Sequence, residues 1–166
     1  MAEYDLSFSE SLATTASSLM KYGLTDLSAK RTVLYLSLLA TEIALKAMLE
    51  QAGAPVKDIR KRSHDLAGLM RDLGKYKVLA EVVRGSKMQV AASRLRARKI
   101  GDPADNFTVG RILDAEALGA SRYPNEIRYG PLLRHFSPSA VSAMSGEVIR
   151  FAKEHWSILG NKTHVE

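Results

Sequence analysis

The side chains best suited to chemistry lie in residues 121–136, SRYPNEIRYGPLLRHF. This stretch combines arginines, which bind phosphates, with tyrosine rings, on which bases stack, and with His135, which titrates near neutral pH. The pattern predicts a site for RNA or a nucleotide. The alternative is that the tyrosines pack and the arginines tie the loop to the fold by hydrogen bonds. The candidate binding residues are Arg122, Tyr123, Tyr129 and Arg134.

A second polar group interrupts the most apolar segment of the chain. Glu42 and Lys46 are the charged residues within the apolar run 32–49, and they lie one helical turn apart on one face. Two interpretations remain open at this point. Either they form an ion pair at the surface of the fold, or they belong to a functional site.

His64 and Asp65 come immediately before another helical pattern, in the sequence SHDLAGLM. Asp65 or Ser63 suits the N-cap of that helix. His64 either positions the helix by hydrogen bonds to the backbone or meets the Glu42 carboxylate. Arg122 is the other candidate partner for Glu42. If Glu42 is buried, one of these two partners is required, because an unpaired buried charge destabilises a fold by several kcal/mol.

The sequence predicts no metal site. It contains no cysteine, and none of its four histidines lies three or four residues from another. His155 falls on the apolar stripe of the last helix, which is typical of a core residue with a satisfied hydrogen bond. We therefore expect no metal and no cofactor.

Length, composition and charge limit the class of protein. The 166 residues suit one domain, and the absence of cysteine fits a reducing compartment. The N-terminus lacks a basic head followed by an apolar core, so we expect a cytoplasmic protein that does not enter a membrane. The net charge of +6 comes from residues 57–99, which hold 13 Lys and Arg against 4 Asp and Glu. Such a segment attracts phosphate backbones, acidic proteins or anionic lipid, or is simply a solvated face.

The candidate residues must be positioned by helices. The long pattern 25–51 has apolar residues on more than one side, begins at Thr25 or Asp26 as N-cap and cannot continue past Gly53 and Pro55. We predict that it is the central helix of a bundle.

Three further helices are predicted around the central one. They cover residues 6–22, residues 66–73 and the segment from Ser137, a suitable N-cap, to Gly160. These four are the main helices.

The remaining segments are less regular. Residues 53–62 form a charged connection that contains a proline, and residues 75–85 continue as a helical piece. Residues 86–100 suit either a helix or a strand. Residues 106–120 contain a β-like Phe-Thr-Val and a short helix-like piece, which we interpret as an insertion or a mobile flap.

Three short motifs in their order give the chain a resemblance to a known family. They are Glu42 to Ala47 (EIALKA) in the long helix, His64 to Leu66 (HDL) at the start of the next, and Arg122 to Pro124 (RYP) before the last. This combination resembles HEPN domains, the higher eukaryote and prokaryote nucleotide-binding family. The resemblance covers most of the chain except about 86–119. It implies an all-α, HEPN-like bundle as a single domain over 1–166, with an inserted segment before the last helix.

The resemblance also implies activity and partners. Many members are metal-independent ribonucleases with an arginine followed, after four to six residues, by a histidine near the start of the last helix. Arg128 and His135 have six residues between them and are the candidate catalytic pair. Other members lack that pair and bind nucleotides or a partner protein. Tyr129 stands where members usually have a polar residue, and Pro131 interrupts the helical geometry that the motif normally has. The Arg-Tyr-Pro stretch of this chain is similar to that of the members without the pair. The implied partners are RNA or a nucleotide, a second copy of the chain, and a cognate toxin, antitoxin or nucleotidyltransferase.

Overall fold

The computed structural model is predominantly helical, which confirms the predicted all-α class. The structure describes residues 2–23, 26–76, 79–82, 86–89, 92–101, 107–118, 124, 127 and 136–159. The elements follow in the order α1 (Leu6–Lys21), α2 (Leu27–Gln51), α3 (Val56–Lys61), α4 (Leu66–Leu73), β1 (Leu79–Val82), β2 (Ser86–Gln89), α5 (Ala92–Arg96), β3 (Lys99–Ile100), β4 (Phe107–Thr108), α6 (Val109–Leu118) and α7 (Pro138–Leu159). The four main helices expected from the sequence are α1, α2, α4 and α7.

Helix α2 is the centre of the bundle and packs against α1, α4 and α7. Asp26 caps its start by accepting a hydrogen bond from the amide of Ala29 at 2.7 Å. Gly53 follows its end with a φ of +88°, a left-handed conformation that favours glycine. Buried residues occupy several sides of the helix, because three neighbouring helices cover it. The predicted central helix is confirmed.

Helix α2 is also long and apolar enough to span a membrane by composition. In the bundle, 72% of that apolar window is buried by the rest of the protein. A helix of this composition can be a membrane span or the core helix of a folded bundle. Here the rest of the protein buries most of the apolar residues.

Side-chain caps mark the start of α1 and the start of α7, and the cap of α7 is the residue that the sequence indicated. Asp5 caps α1 by accepting from the amide of Ser7 at 2.8 Å, and Ser137 caps α7 by accepting from the amide of Ala140 at 3.2 Å. Ser9 is fully buried where α1 crosses α2, and its hydroxyl donates to the Ala40 carbonyl at 2.6 Å. A small side chain with a satisfied hydroxyl lets the two helices approach closely at this point.

His155 has the structural role that its position on the apolar stripe predicted. Its Nδ1 lies 2.9 Å from the carbonyl oxygen of Phe151, and the two rings stack with their centroids 4.2 Å apart. The imidazole therefore completes the core-facing side of α7.

One prediction about the connecting segments is wrong. Residues 79–82 and 86–89 form an antiparallel pair of strands rather than a continued helix, with Ala80 paired to Met88. The β-branched residue Val82 favours a strand over a helix here. The charged connection before Ser63 contains the short helix α3, which Ile59, 2% exposed, anchors to the core.

The segment 86–119 holds short elements rather than one long helix. β3 pairs with β4, and α6 follows directly, so the β-like and helix-like pieces expected in 106–120 are both present. Val109, Ile112 and Leu113 are fully buried and belong to the main hydrophobic core. Helix α6 is therefore built into the bundle, and the described part of 106–120 is not a peripheral flap.

Candidate functional site

Glu42 and Lys46 form a buried ion pair in the middle of α2. The Lys46 Nζ lies 2.7 Å from Oε1 of Glu42, and their side chains are 11% and 6% exposed, respectively. The pair is therefore not a surface ion pair, which was one of the two interpretations of the sequence. Burial removes hydration from both charges, so each depends on the other and on further hydrogen bonds.

The second carboxylate oxygen of Glu42 meets His64. Its Oε2 lies 2.9 Å from Nδ1 of the imidazole, which was one of the two interpretations of His64 that the sequence left open. A carboxylate only accepts hydrogen bonds, so Nδ1 of His64 carries the hydrogen in this contact. The His64 side chain is 47% exposed, and Glu42 is therefore the inner end of a polar chain that reaches the surface.

The backbone around His64 is fixed on both sides. Ser63 has a φ of +48°, the left-handed region that non-glycine residues occupy at a cost of about 1 kcal/mol. Asp65 is the N-cap of α4 and accepts from the amide of Gly68 at 2.8 Å, which confirms its predicted role. A side chain at Gly68 would overlap the Asp65 carboxylate, so this cap requires glycine there. The strained residue and the cap together hold the imidazole towards α2.

An N-terminal strap, residues 2–5, covers the outer side of Lys46. The amides of Glu3 and Tyr4 both donate to the Glu50 carboxylate at 2.9–3.0 Å. The Tyr4 ring lies 5.5 Å from the Lys46 Nζ, a cation–π contact. Burial, followed by its hydrogen bond with Glu3, raises the pKa of Tyr4 to about 12, so the phenol stays neutral. Sequence reasoning missed this strap, because no local pattern links Glu3 to Glu50.

The strap has a further anchor on α3. Glu3 accepts two hydrogen bonds from the Arg60 guanidinium, from Nε at 2.9 Å and from the terminal nitrogen at 2.5 Å. These hydrogen bonds hold the pKa of the exposed Glu3 carboxyl below its usual range. The polar cluster Glu42–Lys46–His64 is thus enclosed by the strap on one side and by the turn before α4 on the other.

Such a cluster can orient an imidazole for proton transfer or for hydrogen bonding to a ligand. The carboxylate fixes the ring through Nδ1, which directs the rest of the ring away from α2. Among the described residues, no group of three or more His, Asp or Glu side chains is arranged to hold a metal ion. The chemistry available at this cluster is acid–base chemistry and hydrogen bonding.

The predicted catalytic pair, Arg128 and His135, lies outside the described residues. Beside it in the sequence, Ile127 is fully buried and Phe136 packs edge-on against Phe107 with ring centroids 5.6 Å apart. Both flanks of the stretch are thus attached to the bundle. The candidate binding residues lie outside the described residues as well, namely Arg122, Tyr123, Tyr129 and Arg134.

The basic segment contributes a charged surface on and around α3. Residues 56–76 contain six Lys and Arg against three Asp. The side chains of Arg60, Lys61 and Lys75 are 67%, 75% and 66% exposed. This surface lies next to the turn that carries His64.

Compared with protein-family models, with curated proteins and with solved structures, the chain has no significant match. The class that the fold and the polar cluster define is therefore an all-α bundle with an acid–base cluster on its central helix.

Proposed function

We propose that this protein is a HEPN-like bundle that binds RNA or a nucleotide in a bacterial toxin–antitoxin, defence or regulatory system, and that it cleaves RNA without a metal ion. The observation that carries the proposal is the contact cluster of Glu42, Lys46 and His64. These residues belong to two of the three motifs on which the resemblance rests. Buried charges are costly in a bundle, so their presence in the core is more readily explained by a site than by stability.

The charge of the surface beside the cluster supports RNA as the ligand. The exposed cations of α3 and of the turn after α4 create a positive potential that attracts phosphates. His64 reaches the surface within the same region. A phosphate backbone bound there would pass the end of the polar cluster.

In the proposed reaction His135 and Arg128 act on one phosphodiester. His135 takes the proton of a ribose 2′-hydroxyl as its oxygen forms a bond to phosphorus and the bond to the leaving oxygen breaks. That leaving oxygen receives a proton from water or a second acid. Arg128 stabilises the charge that develops on the phosphate oxygens. The products would be a cyclic phosphate and a free hydroxyl.

Binding of single-stranded RNA should weaken log-linearly with salt. We expect a slope of about −0.7 for each phosphate contact, measured by fluorescence anisotropy between roughly 50 and 200 mM salt. Lys57→Gln, on the exposed face of α3, should reduce the magnitude of the slope by about 0.7. Lys21→Gln, at the far end of α1, is the matched control and should leave it unchanged. Failure to bind any RNA at low salt would contradict the proposal.

The homodimer expected from the resemblance has a candidate surface in the groove between α1 and α7. This groove has a volume of about 670 Å³ and a floor of small residues that includes Ala13, Ala143 and Gly146. Its rim carries both signs of charge, since Lys153 pairs with Glu10 at 2.7 Å. A second copy of this chain is the occupant that we propose, because a surface whose rim carries both signs of charge can pair with itself across a two-fold axis.

Gly146→Leu should convert this dimer to a monomer. A Cβ at Gly146 meets nothing within 4 Å, so the substitution fills the groove without straining the chain that carries it. Leucine also stabilises a helix by up to about 1 kcal/mol relative to glycine, so the thermal midpoint of the monomer should not fall. Light scattering coupled to size-exclusion chromatography measures the mass. Ser18→Leu, on an exposed part of α1 outside the groove, is the control and should remain dimeric.

The competing function is a non-catalytic partner-binding module, an antitoxin or a nucleotidyltransferase-associated subunit. It is favoured by the internal pairing of several cations of the basic segment. Arg60 binds Glu3, and Arg62 binds Asp72, which reduces the charge that these side chains offer to phosphates. Binding of a protein through mainly apolar contacts should depend little on salt, so the titration above separates the two functions.

A further inference from the structure

A pocket of about 460 Å³ lies between the end of α2, the helix α3 and the end of α4. Its volume falls within the range of roughly 300 to 1,000 Å³ typical of small-molecule sites. The apolar part of its lining consists of Leu49, Ala54 and Ile59, which are 1%, 8% and 2% exposed. These residues belong to the main hydrophobic core, so the pocket is formed before any ligand binds.

Tyr76 contributes an aromatic ring to the same pocket. It is partly buried, packs against the core and is held after α4 by the hydrogen bond from its amide to the Leu73 carbonyl at 3.2 Å. Aromatic side chains beside an apolar surface are the platforms on which nucleobases stack in single-stranded RNA-binding proteins. The apolar lining and the ring together suit a flat, aromatic ligand.

Exposed cations stand at the rim of this pocket. Lys61 pairs with Asp58 at 2.9 Å, and Lys75 pairs with Asp72 at 2.6 Å. The Lys61–Asp58 pair is exposed on both sides and contributes less than about 1 kcal/mol, so the Lys61 ammonium group can exchange its carboxylate for a phosphate at little cost, and the Lys75 side chain is itself 66% exposed. The pocket therefore combines an apolar surface that can hold a ring with exposed lysine side chains beside it.

Asp72 is the fixed acceptor of the pocket. Its carboxylate is held by Nε of Arg62 at 2.5 Å, and the side chain is only 18% exposed. The hydrogen bond from Arg62 is the main reason that the pKa of Asp72 lies below its usual range, so the group is ionised at neutral pH. An ionised carboxylate accepts hydrogen bonds only. Oδ1 of Asp72 accepts from Arg62 and from Lys75, whereas Oδ2 accepts from Arg62 and has capacity for one further donor, such as an N–H group of a base.

We propose that this pocket binds one nucleotide of single-stranded RNA, with its base beside Tyr76 and Asp72 and its phosphate on Lys61 or Lys75. This inference rests on the proposed function, because it assigns a base-binding site to an RNA-binding surface.

Guanosine monophosphate, uridine monophosphate and inorganic phosphate are the probes for this site, measured by calorimetry on the full chain. Both nucleotides should bind more tightly than inorganic phosphate, because only the nucleotides carry a base that stacks on Tyr76. Tyr76→Leu keeps an apolar side chain but removes the ring, and it should weaken binding of guanosine monophosphate about tenfold or more. Tyr22→Leu, at a tyrosine that is 88% exposed elsewhere, is the matched control and should have no effect. Lys75→Gln, at an exposed position, should weaken binding of both nucleotides without affecting the fold.

The outcomes separate this inference from the proposed function. If the wild type binds single-stranded RNA and neither Tyr76→Leu nor Lys75→Gln changes that binding, the pocket is not the site and the proposed function stands. Equal affinity for guanosine monophosphate and inorganic phosphate would overturn the assignment of Tyr76 and Asp72. If the wild type binds neither RNA nor nucleotides at low salt, both proposals are overturned. Circular dichroism of each variant establishes that it is folded.

Discussion

Glu42→Ala is expected to lower the free energy of unfolding by about 3 to 5 kcal/mol, the range for breaking a buried ion pair from one side. The substitution leaves the ammonium group of Lys46 inside the bundle, 11% exposed and without its carboxylate. It also removes the acceptor that holds Nδ1 of His64. A loss of this size is a large fraction of the stability of a domain of ordinary length.

Urea denaturation followed by circular dichroism measures this change. The matched control is Glu10→Ala, which breaks the ion pair with Lys153 at the same N–O distance of 2.7 Å but on the surface, with Glu10 49% exposed. That control should change the free energy of unfolding by less than about 1 kcal/mol. If the two substitutions lower the free energy of unfolding equally, the burial of the Glu42 pair does not make its loss more destabilising than the loss of a surface pair.

The double substitution Glu42→Leu with Lys46→Met tests the cause of the loss. Replacing both members of a buried pair by apolar side chains is often neutral or stabilising, because neither charge then has to be desolvated. We expect the double variant to be more stable than Glu42→Ala. If the double variant is also inactive on RNA, the pair serves the site and is not required for stability.

His135→Ala is expected to reduce cleavage of single-stranded RNA by about 100-fold or more, because a general acid or base is lost. The assay contains a metal chelator, since the proposed mechanism requires no metal. RNA binding, measured by anisotropy, should remain within a few-fold of the wild type. Loss of rate without loss of binding identifies a role in the reaction itself.

His164→Ala is the control for the loss of a histidine, and its cleavage rate should equal that of the wild type. The mass of each variant by light scattering should be unchanged. Wild-type protein that binds RNA and never cleaves it would favour the non-catalytic alternative. A distance of more than about 10 Å between Arg128 and His135, within one copy and between copies of a dimer, would end the catalytic proposal, because both must reach one phosphate.

The main helices were predictable because their signals are local. Asp26 and Ser137 are cap residues placed directly before long apolar patterns, and Gly53 follows the end of α2. The contact between Glu42 and His64 was one of the alternatives that the sequence left open, because a buried carboxylate requires a partner and few candidates are available. The predicted catalytic and binding residues lie outside the described residues and stay a prediction, namely Arg122, Tyr123, Arg128, Tyr129, Arg134 and His135.

The features that the sequence did not indicate depend on long-range contacts. Helix α3 is too short to be stable alone and forms because Ile59 is buried against distant residues. The strap at Glu3 and Tyr4 requires Glu50, which lies 47 residues from Glu3. Such pairings have no periodicity, so they become visible only when the helices are assembled.

The burial of α2 has a consequence for how the chain is made. The end of α7 lies 108 residues after the end of α2, since 159 − 51 = 108. At translation rates of about 5 to 20 residues per second, α7, the helix that completes the burial of α2, is therefore synthesised roughly 5 to 20 s after α2. During that interval the nascent chain displays a 25-residue apolar helix with the composition of a membrane span. Of the helices that pack against α2, α1 is synthesised before it and α4 soon after it, so these two helices cover part of its apolar surface until α7 is complete.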